Sequence, residues 1–157
     1  MAAVTANSPL RIVQLQHASD DALDLLAEYY EAVQVVVRDP PGALEKIIQT
    51  EDSGVWMAYL GGDPIGCVVL RLLTSIPSAG ECKRLYVKPS ARGRGIAGAL
   101  MDALEHYARG QGLAWIYLDS HDGLTAAIAL YRQRGYLACD RYNDNPQATL
   151  FMRKQLA

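Results

Sequence analysis

The sequence lacks the features that would attach a chain to a membrane or bind it broadly to nucleic acid. No run approaches the roughly 18 apolar residues that a membrane span needs, and the opening stretch MAAVTANSPL has neither the basic segment nor the apolar core of a signal peptide. The net charge is −2, so any patch that attracts a polyanion must be local. We therefore expect a cytoplasmic protein whose partners are neither membranes nor nucleic acids.

Cysteine and histidine are scarce, and neither set has the spacing of metal ligands. The cysteines include no CxxC pair, which argues against a disulfide framework and against a cysteine zinc site. We expect them to be reduced and mostly buried. The histidines lie far apart in the sequence, so we expect no metal. The residues concerned are Cys67, Cys82, Cys139, His17, His106 and His121.

The length and patterning that are present predict one folded domain. A chain of 157 residues, half of them hydrophobic, has enough material for one core, and we assign the domain to 1–157 with 1–9 as a flexible N-terminus. Alternating and helical periodicities give the order β, α, α, β, β, β, α, β, α, β, β, which is typical of a mixed α+β domain. The strands are predicted over 10–16, 55–60, 64–73, 81–87, 114–119, 136–142 and 147–154, and the helices over 22–37, 43–49, 96–108 and 124–134.

A glycine- and arginine-rich segment lies between the fourth strand and the third helix. The amides at a helix N-terminus are unpaired and carry partial positive charge, so such a turn makes an anion site. Gly93, Gly95 and Gly98 let the backbone approach a ligand, while Arg92 and Arg94 add charge. A diphosphate fits this site well. The alternatives are a simple tight turn or a nucleic-acid contact through the RGRG tetrapeptide.

Two other phosphate-binding loops are disfavoured by the surrounding sequence. There is no GxxxxGK[ST], which argues against a P-loop nucleotidase. The three glycines do spell GxGxxG, but an antiparallel hairpin pattern precedes them. The acidic residue that a dinucleotide fold needs could only be Asp119, which lies too far along the chain.

The stretch LYVKPSARGRGIAGALMDALEHYARGQG resembles the signature of the GCN5-related N-acetyltransferase (GNAT) superfamily, whose loop runs [Q/R]-x-x-G-x-[G/A]. Arg92, Gly95 and Ala97 occupy its fixed places. The stretch AAIALYRQRGY resembles the second signature of the family, and the element order is similar over nearly the whole chain. The resemblance implies an α+β (mixed α/β) GNAT fold. Its central sheet is mixed, mostly antiparallel and splayed between the fourth and fifth strands, with about four flanking helices.

The resemblance also implies acetyl-CoA, or a related acyl-CoA, as co-substrate and requires no metal. The pyrophosphate would lie on the amides of Gly93 to Gly98, and the pantetheine arm would pair with the splayed fourth strand. The amide of Val87 is then the expected donor to the oxyanion. The full set implied to bind the donor is Leu85, Tyr86, Val87, Arg92, Gly93, Arg94, Gly95, Ile96, Ala97 and Gly98.

Three residues are candidates for proton transfer. Tyr131 occupies the place of the family's general acid, and a phenol with a pKa near 10 is protonated at neutral pH; the alternative is a core aromatic on its helix. Glu81 lies where histone-acetylating members carry their base, although a glutamate at a strand end is often simply solvated. Asp119, at the end of the next strand, is the second candidate base. The family's asparagine before the tyrosine is replaced by Leu124, whose missing contact Ser120 or Thr125 could supply.

The sequence predicts an acetyl-CoA-dependent N-acetyltransferase that transfers an acetyl group to a primary amine, by direct attack on the thioester. A small-molecule acceptor, for example a carboxylate-bearing amine, is favoured. The alternatives are a protein lysine or N-terminal acetyltransferase, or a non-catalytic acyl-CoA-binding sensor. Many members dimerise through the late strands, which leaves a homodimer open. The residues expected to line the acceptor site, unless they form only a surface loop, are Tyr29, Tyr30, Arg38, Arg71, Tyr142 and Asn145.

Overall fold

A computed structural model describes residues 9–156, which form one mixed sheet with helices on both faces. The strands are β1 (Leu10–Gln14), β2 (Gly54–Leu60), β3 (Asp63–Leu73), β4 (Ala79–Val87), β5 (Trp115–Ser120), β6 (Leu137–Ala138) and β7 (Leu150–Gln155). The helices are α1 (Asp20–Val33), α2 (Ala43–Gln49), α3 (Ile96–Gly110) and α4 (Thr125–Gln133), with a 3-10 turn at Pro89–Ala91. The strand order is β1-β2-β3-β4-β5-β7-β6, and only β4 and β5 pair in parallel. The expected fold class is confirmed.

The predicted flexible N-terminus lies almost entirely outside the described residues. Pro9 is the exception, because its carbonyl accepts a hydrogen bond from the amide of Gly61 at 3.2 Å. This contact holds the start of β1 against the turn between β2 and β3.

The central strands are nearly continuous hydrophobic runs because both faces of the sheet are buried. On one face, α1 and α2 pack Leu25 and Leu44 against Met57 and Val69. On the other face, the predicted apolar stripe of α3, which includes Leu100, packs against the sheet. The buried side chains therefore form two layers of core, one on each side of the sheet.

The sheet splits between β4 and β5. Their parallel pairing covers only Ala79–Glu81 opposite Trp115–Tyr117, and the two strands then diverge. A register shift opposite Cys67 to Val69 marks a bulge in β4, and Arg84 within it has a positive φ of 56°. The expected splay between the fourth and fifth strands is thus present, and it opens a cleft in the sheet.

Helix α1 is shorter than the periodicity predicted. The prediction ran to Val37, but the helix ends at Val33, because Gln34 takes a left-handed conformation with φ 55° and its amide donates to the carbonyls of Tyr30 and Glu31. The chain then leaves the helix axis, and the Val37 side chain is 71% exposed overall rather than packed. The helical spacing of the valines was therefore misleading.

The last predicted hairpin is present, since β6 and β7 pair antiparallel, but its first strand is much shorter than predicted. A strand over 136–142 was expected, but β6 contains only Leu137–Ala138. After the amide of Cys139 donates to Phe151 at 2.8 Å, the chain leaves the sheet and remains irregular until β7. Polar side chains of this segment donate hydrogen bonds to the carboxylates of Glu81 and Asp119. Arg141 fixes the segment by donating to three of its backbone carbonyls, those of Asn143, Asn145 and Ala148.

A buried carboxylate joins α3 to α4 and β7. Glu105 is 1% exposed. Its Oε2 accepts hydrogen bonds from Arg134 Nε at 3.0 Å and from the Tyr136 hydroxyl at 3.2 Å, and its Oε1 accepts one from Lys154 Nζ at 2.6 Å. Removing this carboxylate would leave the partly buried Lys154 without its counter-charge and Arg134 with only the exposed carboxylate of Asp102.

We expect Glu105→Gln to lower the free energy of unfolding by about 3 kcal/mol, measured by urea denaturation. The matched control is Asp102→Asn, since Asp102 binds the same Arg134 at 2.7 Å but has a side chain that is 73% exposed. Its loss should cost less than about 1 kcal/mol. Similar costs for the two variants would contradict a structural role for the buried cluster.

Candidate active site

A cleft of about 1110 Å³ lies where β4 and β5 separate. Its walls come from the end of β4, the glycine-rich loop before α3, the first turns of α4, and the segments that follow α1 and precede β7. The cleft is therefore bounded by the glycine-rich loop and by α4, which are the two segments that resemble the family signatures.

The open edge of β4 faces this cleft. The amide of Lys88 donates to the carbonyl of Ile65 in β3 at 2.8 Å. Amide directions alternate along a strand, so the N–H of Val87 points away from β3 and toward the separated β5. Leu85, Tyr86 and Val87 all line the cleft. This edge can pair with an extended amide-bearing chain such as pantetheine.

The glycine-rich loop supplies an anion site at one end of the cleft. Gly93 and Gly95 have φ of 79° and 73°, and a Cβ at either would meet nothing within 4 Å. The need for glycine there is therefore conformational rather than steric. Gly95 precedes the first turn of α3, and no side chain caps the helix amides. Of the residues expected to bind the donor, all except Arg94 line the described part of the cleft.

Tyr131 projects from α4 into the wall of the cleft. It is 6% exposed, and its ring packs edge-on against Tyr136 with centroids 5.8 Å apart. Within residues 9–156 its hydroxyl makes no hydrogen bond to protein. Burial, more than any nearby charge, raises its pKa well above 10, so the phenol remains protonated at neutral pH.

The buried tyrosines should make the fold sensitive to alkali. Burial also raises the pKa of Tyr136. A tyrosine with a raised native pKa contributes stability that is complete below pH 10 and is lost as pH rises above it, because only the unfolded chain ionises. We expect the free energy of unfolding to fall by up to about 1.4 kcal/mol per pH unit for each such tyrosine above pH 10. Urea denaturation at several pH values tests this. Tyr131→Phe should reduce the slope, and a flat profile between pH 9 and pH 11 would contradict it.

The two candidate bases lie side by side but differ in access. Glu81 is fully buried and is not among the described residues that line the cleft. Its carboxylate accepts hydrogen bonds from Arg71 at 2.7 Å, from the Tyr142 hydroxyl at 2.7 Å and from Asn143 at 3.1 Å. These donors occupy both of its oxygens.

Asp119 lines the cleft, and its side chain is 12% exposed. Its Oδ2 accepts a 2.6 Å hydrogen bond from Asn143 and lies 3.6 Å from Lys83 Nζ. Within the part of the chain that the structure describes, its Oδ1 accepts one hydrogen bond, from Asn145 at 3.1 Å. Because a carboxylate oxygen has two lone pairs, Oδ1 retains capacity for a further donor. The side-chain amide of Asn143 also donates to Glu81, so it links the two carboxylates.

The structure brings together only part of the expected acceptor site. Tyr29, Tyr30, Arg71 and Asn145 line the cleft, together with Leu124, Ser120 and Thr125. Arg38 does not line the described cleft and pairs instead with Glu31 at 2.9 Å. Tyr142 lies beneath the cleft, where it binds Glu81.

The sequence analysis did not identify three residues whose side chains make contacts at or next to the cleft. They are Arg84 in the bulge of β4, Asn143 between the two carboxylates, and Gln147 at the mouth. Only Asn143 had a local signal, since it belongs to an unusually polar run, DRYNDNP. Of the three free thiols among the described residues, those of Cys67 and Cys82 are buried as expected and that of Cys139 is partly buried. Burial raises the pKa of Cys67 to about 12.

Comparisons with known proteins show the family of this chain. The sequence profile of the Acetyltransferase (GNAT) family matches residues 19–136. The chain is similar to an "IAA acetyltransferase" from Azospirillum brasilense, with 35% identity over 105 residues that cover 64% of this chain and 66% of that protein. The chain spans less than two thirds of the length of the curated relatives it matches.

Solved structures show the same fold. A Klebsiella pneumoniae protein assigned to the acyl-CoA N-acyltransferases has a TM-score of 0.74 and 25% identity, with 96% of this chain and 100% of that chain covered. A GNAT-family acetyltransferase from Staphylococcus aureus has a TM-score of 0.80 at 16% identity, with 95% and 100% covered. Because the profile match spans more than half of the sequence, the chain belongs to the Acetyltransferase (GNAT) family.

None of the helices formed by residues 9–156 has the length and apolar character of a membrane span. The same residues contain no group of three or more histidine, cysteine, aspartate or glutamate side chains arranged to hold a metal ion.

Proposed function

We propose that this protein transfers an acetyl group from acetyl-CoA to the primary amine of a small molecule, as one domain and by direct attack on the thioester. The observation that carries the proposal is the continuity of the cleft. The open edge of β4 runs from the end of the β4–β5 pairing at Glu81 to Val87, and the left-handed glycines and the N-terminus of α3 follow directly. An extended amide-bearing arm that ends in a diphosphate matches this order of backbone groups.

Each step of the transfer has a candidate group in this chain. The N–H of Val87 would donate to the oxygen of the thioester as negative charge develops there. Asp119, directly or through a water molecule, would accept the proton of the amine. Tyr131 would donate a proton to the departing sulfur, and its raised pKa keeps that proton available. Glu81 remains the second candidate base, but its full burial and its absence from the described cleft lining favour a role in positioning Asn143.

A bridge across the mouth of the cleft supports a small acceptor. The side chain of Gln147 accepts a hydrogen bond from the amide of Val36 at 2.9 Å and donates one to the carbonyl of Gln34 at 3.0 Å. These two bonds join the segment after α1 to the segment before β7, and both segments line the cleft. An extended polypeptide acceptor would require an open groove at this point.

We expect the unmodified protein to acetylate its best small amine at least about 100-fold more efficiently than a lysine in a nine-residue peptide. Gln147→Ala should reduce this preference by about tenfold, because it removes both bonds of the bridge. The measurement is kcat/KM for both acceptors by release of CoA thiol. A peptide acetylated as fast as the small amine would favour the protein-acetyltransferase alternative.

The test of the proposed function is a screen of primary amines with acetyl-CoA, followed by release of CoA and by mass spectrometry of the products. We expect at least one amine to gain a single acetyl group at a rate that saturates with amine concentration. Binding of acetyl-CoA without transfer to any amine in a broad panel would instead support a non-catalytic acyl-CoA sensor.

A further inference from the structure

The bulge in β4 places two consecutive basic side chains on one face of the sheet. Lys83 pairs with Val69, whose side chain packs in the core layer of α1 and α2, and Tyr86 belongs to that same layer. Side chains alternate along a regular strand, so Arg84 would face the opposite layer if the strand were unbroken. The bulge returns it to the side of α1, where it contacts Tyr30 and Asp39.

This placement requires an unfavourable backbone conformation. Arg84 has a φ of 56°, which long L side chains rarely adopt. Such conformations persist when the surrounding structure imposes them, and they concentrate at functional sites. A glycine or an asparagine would satisfy the same backbone with less strain. The presence of arginine at this strained position therefore indicates a functional role for its guanidinium group.

The guanidinium of Arg84 has one nitrogen without a partner. Its Nη2 pairs with Asp39, and its Nε donates to the hydroxyl of Tyr30 at 3.2 Å. Its Nη1 is buried and, among the residues the structure describes, has no hydrogen-bond partner. Buried donors in folded proteins almost always have a partner, in the protein, in water or in a ligand. Since Arg84 lines the cleft, a ligand bound there is a natural partner.

The charge near Arg84 favours an anionic partner. Burial disfavours the charged guanidinium, but Asp39 and Tyr30 outweigh this effect and raise its pKa, so the group is charged. Lys83 and Arg71 also line the cleft, but Asp119 and Glu81 already pair with them, so the buried donor left unused among the described residues is the one on Arg84. A hydrogen bond between a guanidinium and a carboxylate is about twice as strong as one between neutral groups, and Arg84 presents such a donor on the side of α1.

We propose that the amine acceptor carries a carboxylate and that Arg84 Nη1 binds it, while the amine lies toward Asp119. The inference rests on the proposed function, since it names the substrate class of the same site. Amino acids and related amino-carboxylates have the required pair of groups. Tyr30 acts as a positioning residue, because it holds the Nε of the guanidinium.

The test is isothermal titration of the CoA-saturated protein with acetylated products. The probes are N-acetylalanine, N-acetylmethionine and N-acetylphenylalanine, each compared with its C-terminal amide. We expect at least one acid to bind about tenfold more tightly than its amide, as the loss of a charge-assisted hydrogen bond implies. Arg84→Gly and Arg84→Asn, which both tolerate the left-handed backbone, should reduce the preference to within about twofold.

Arg38→Gln is the matched control. Arg38 packs on the ring of Tyr30, 5.3 Å from its centroid, but does not line the described cleft. This variant should retain the preference for the acid. The inference is overturned if no acid is preferred over its amide, or if both Arg84 variants retain the preference, in which case a bound water satisfies Nη1. Failure of the unmodified protein to bind acetyl-CoA would contradict the proposed function itself, and that binding is measured first.

Discussion

Replacing Tyr131 with phenylalanine is expected to lower kcat by about 100-fold, which is the usual scale for loss of a general acid. The affinity for acetyl-CoA should change by less than about twofold. The reason is that the phenol is buried, protonated and without a protein hydrogen bond within residues 9–156, so its hydroxyl is available to the departing sulfur. Phenylalanine keeps the edge-on contact with Tyr136 and removes only that hydroxyl.

Tyr136→Phe is the matched control for this experiment. Tyr136 is 1% exposed and contacts the same ring, but its hydroxyl binds Glu105 rather than facing the cleft. Its loss should reduce stability by about 1 kcal/mol and leave kcat within about threefold. If Tyr131→Phe retains full turnover while acetyl-CoA still binds, Tyr131 is a core aromatic and not the acid.

The second large effect is expected at Asp119. Asp119→Asn should lower kcat by about 100-fold, because the variant has no carboxylate to accept the proton of the amine. Asparagine is close in shape and keeps an oxygen for the amide of Asn145 or Asn143. A thermal melt of each variant separates loss of chemistry from loss of fold.

Glu81→Gln provides the contrast. Glu81 is fully buried, is held by Arg71, Tyr142 and Asn143, and does not line the described cleft. We therefore expect its loss to lower the melting temperature and to reduce kcat much less than Asp119→Asn does. The opposite pattern would reverse the assignment of the base. In that pattern Glu81→Gln lowers kcat by about 100-fold in a folded protein and Asp119→Asn does not.

The parts of the site that were predictable are local in sequence. Gly93 and Gly95 have the left-handed conformations that only glycine adopts easily, and they directly precede a helix whose apolar stripe is unambiguous. Tyr131 lies on an equally clear helix. Such features follow from a short window of sequence, because the strand, turn and helix that form them are consecutive.

The remaining features depend on contacts between distant segments. Gln147 binds backbone groups more than 100 residues away, and no local pattern specifies its partner. The position of Arg84 depends on a bulge whose register is set by β3. The end of α1 at Val33 was misjudged because the valines after it continue the helical spacing, although their side chains reach the surface or the cleft. Periodicity records which residues are apolar but not where the backbone turns.

The most direct test of the central claim is isothermal titration of the purified protein with acetyl-CoA, with ATP and NAD as controls. It examines the donor site without requiring knowledge of the acceptor. We expect acetyl-CoA alone to bind, with a dissociation constant in the micromolar range, because only its pantetheine arm can pair with the open edge of β4. A folded sample that binds ATP or NAD equally well, or that does not bind acetyl-CoA, would contradict the claim.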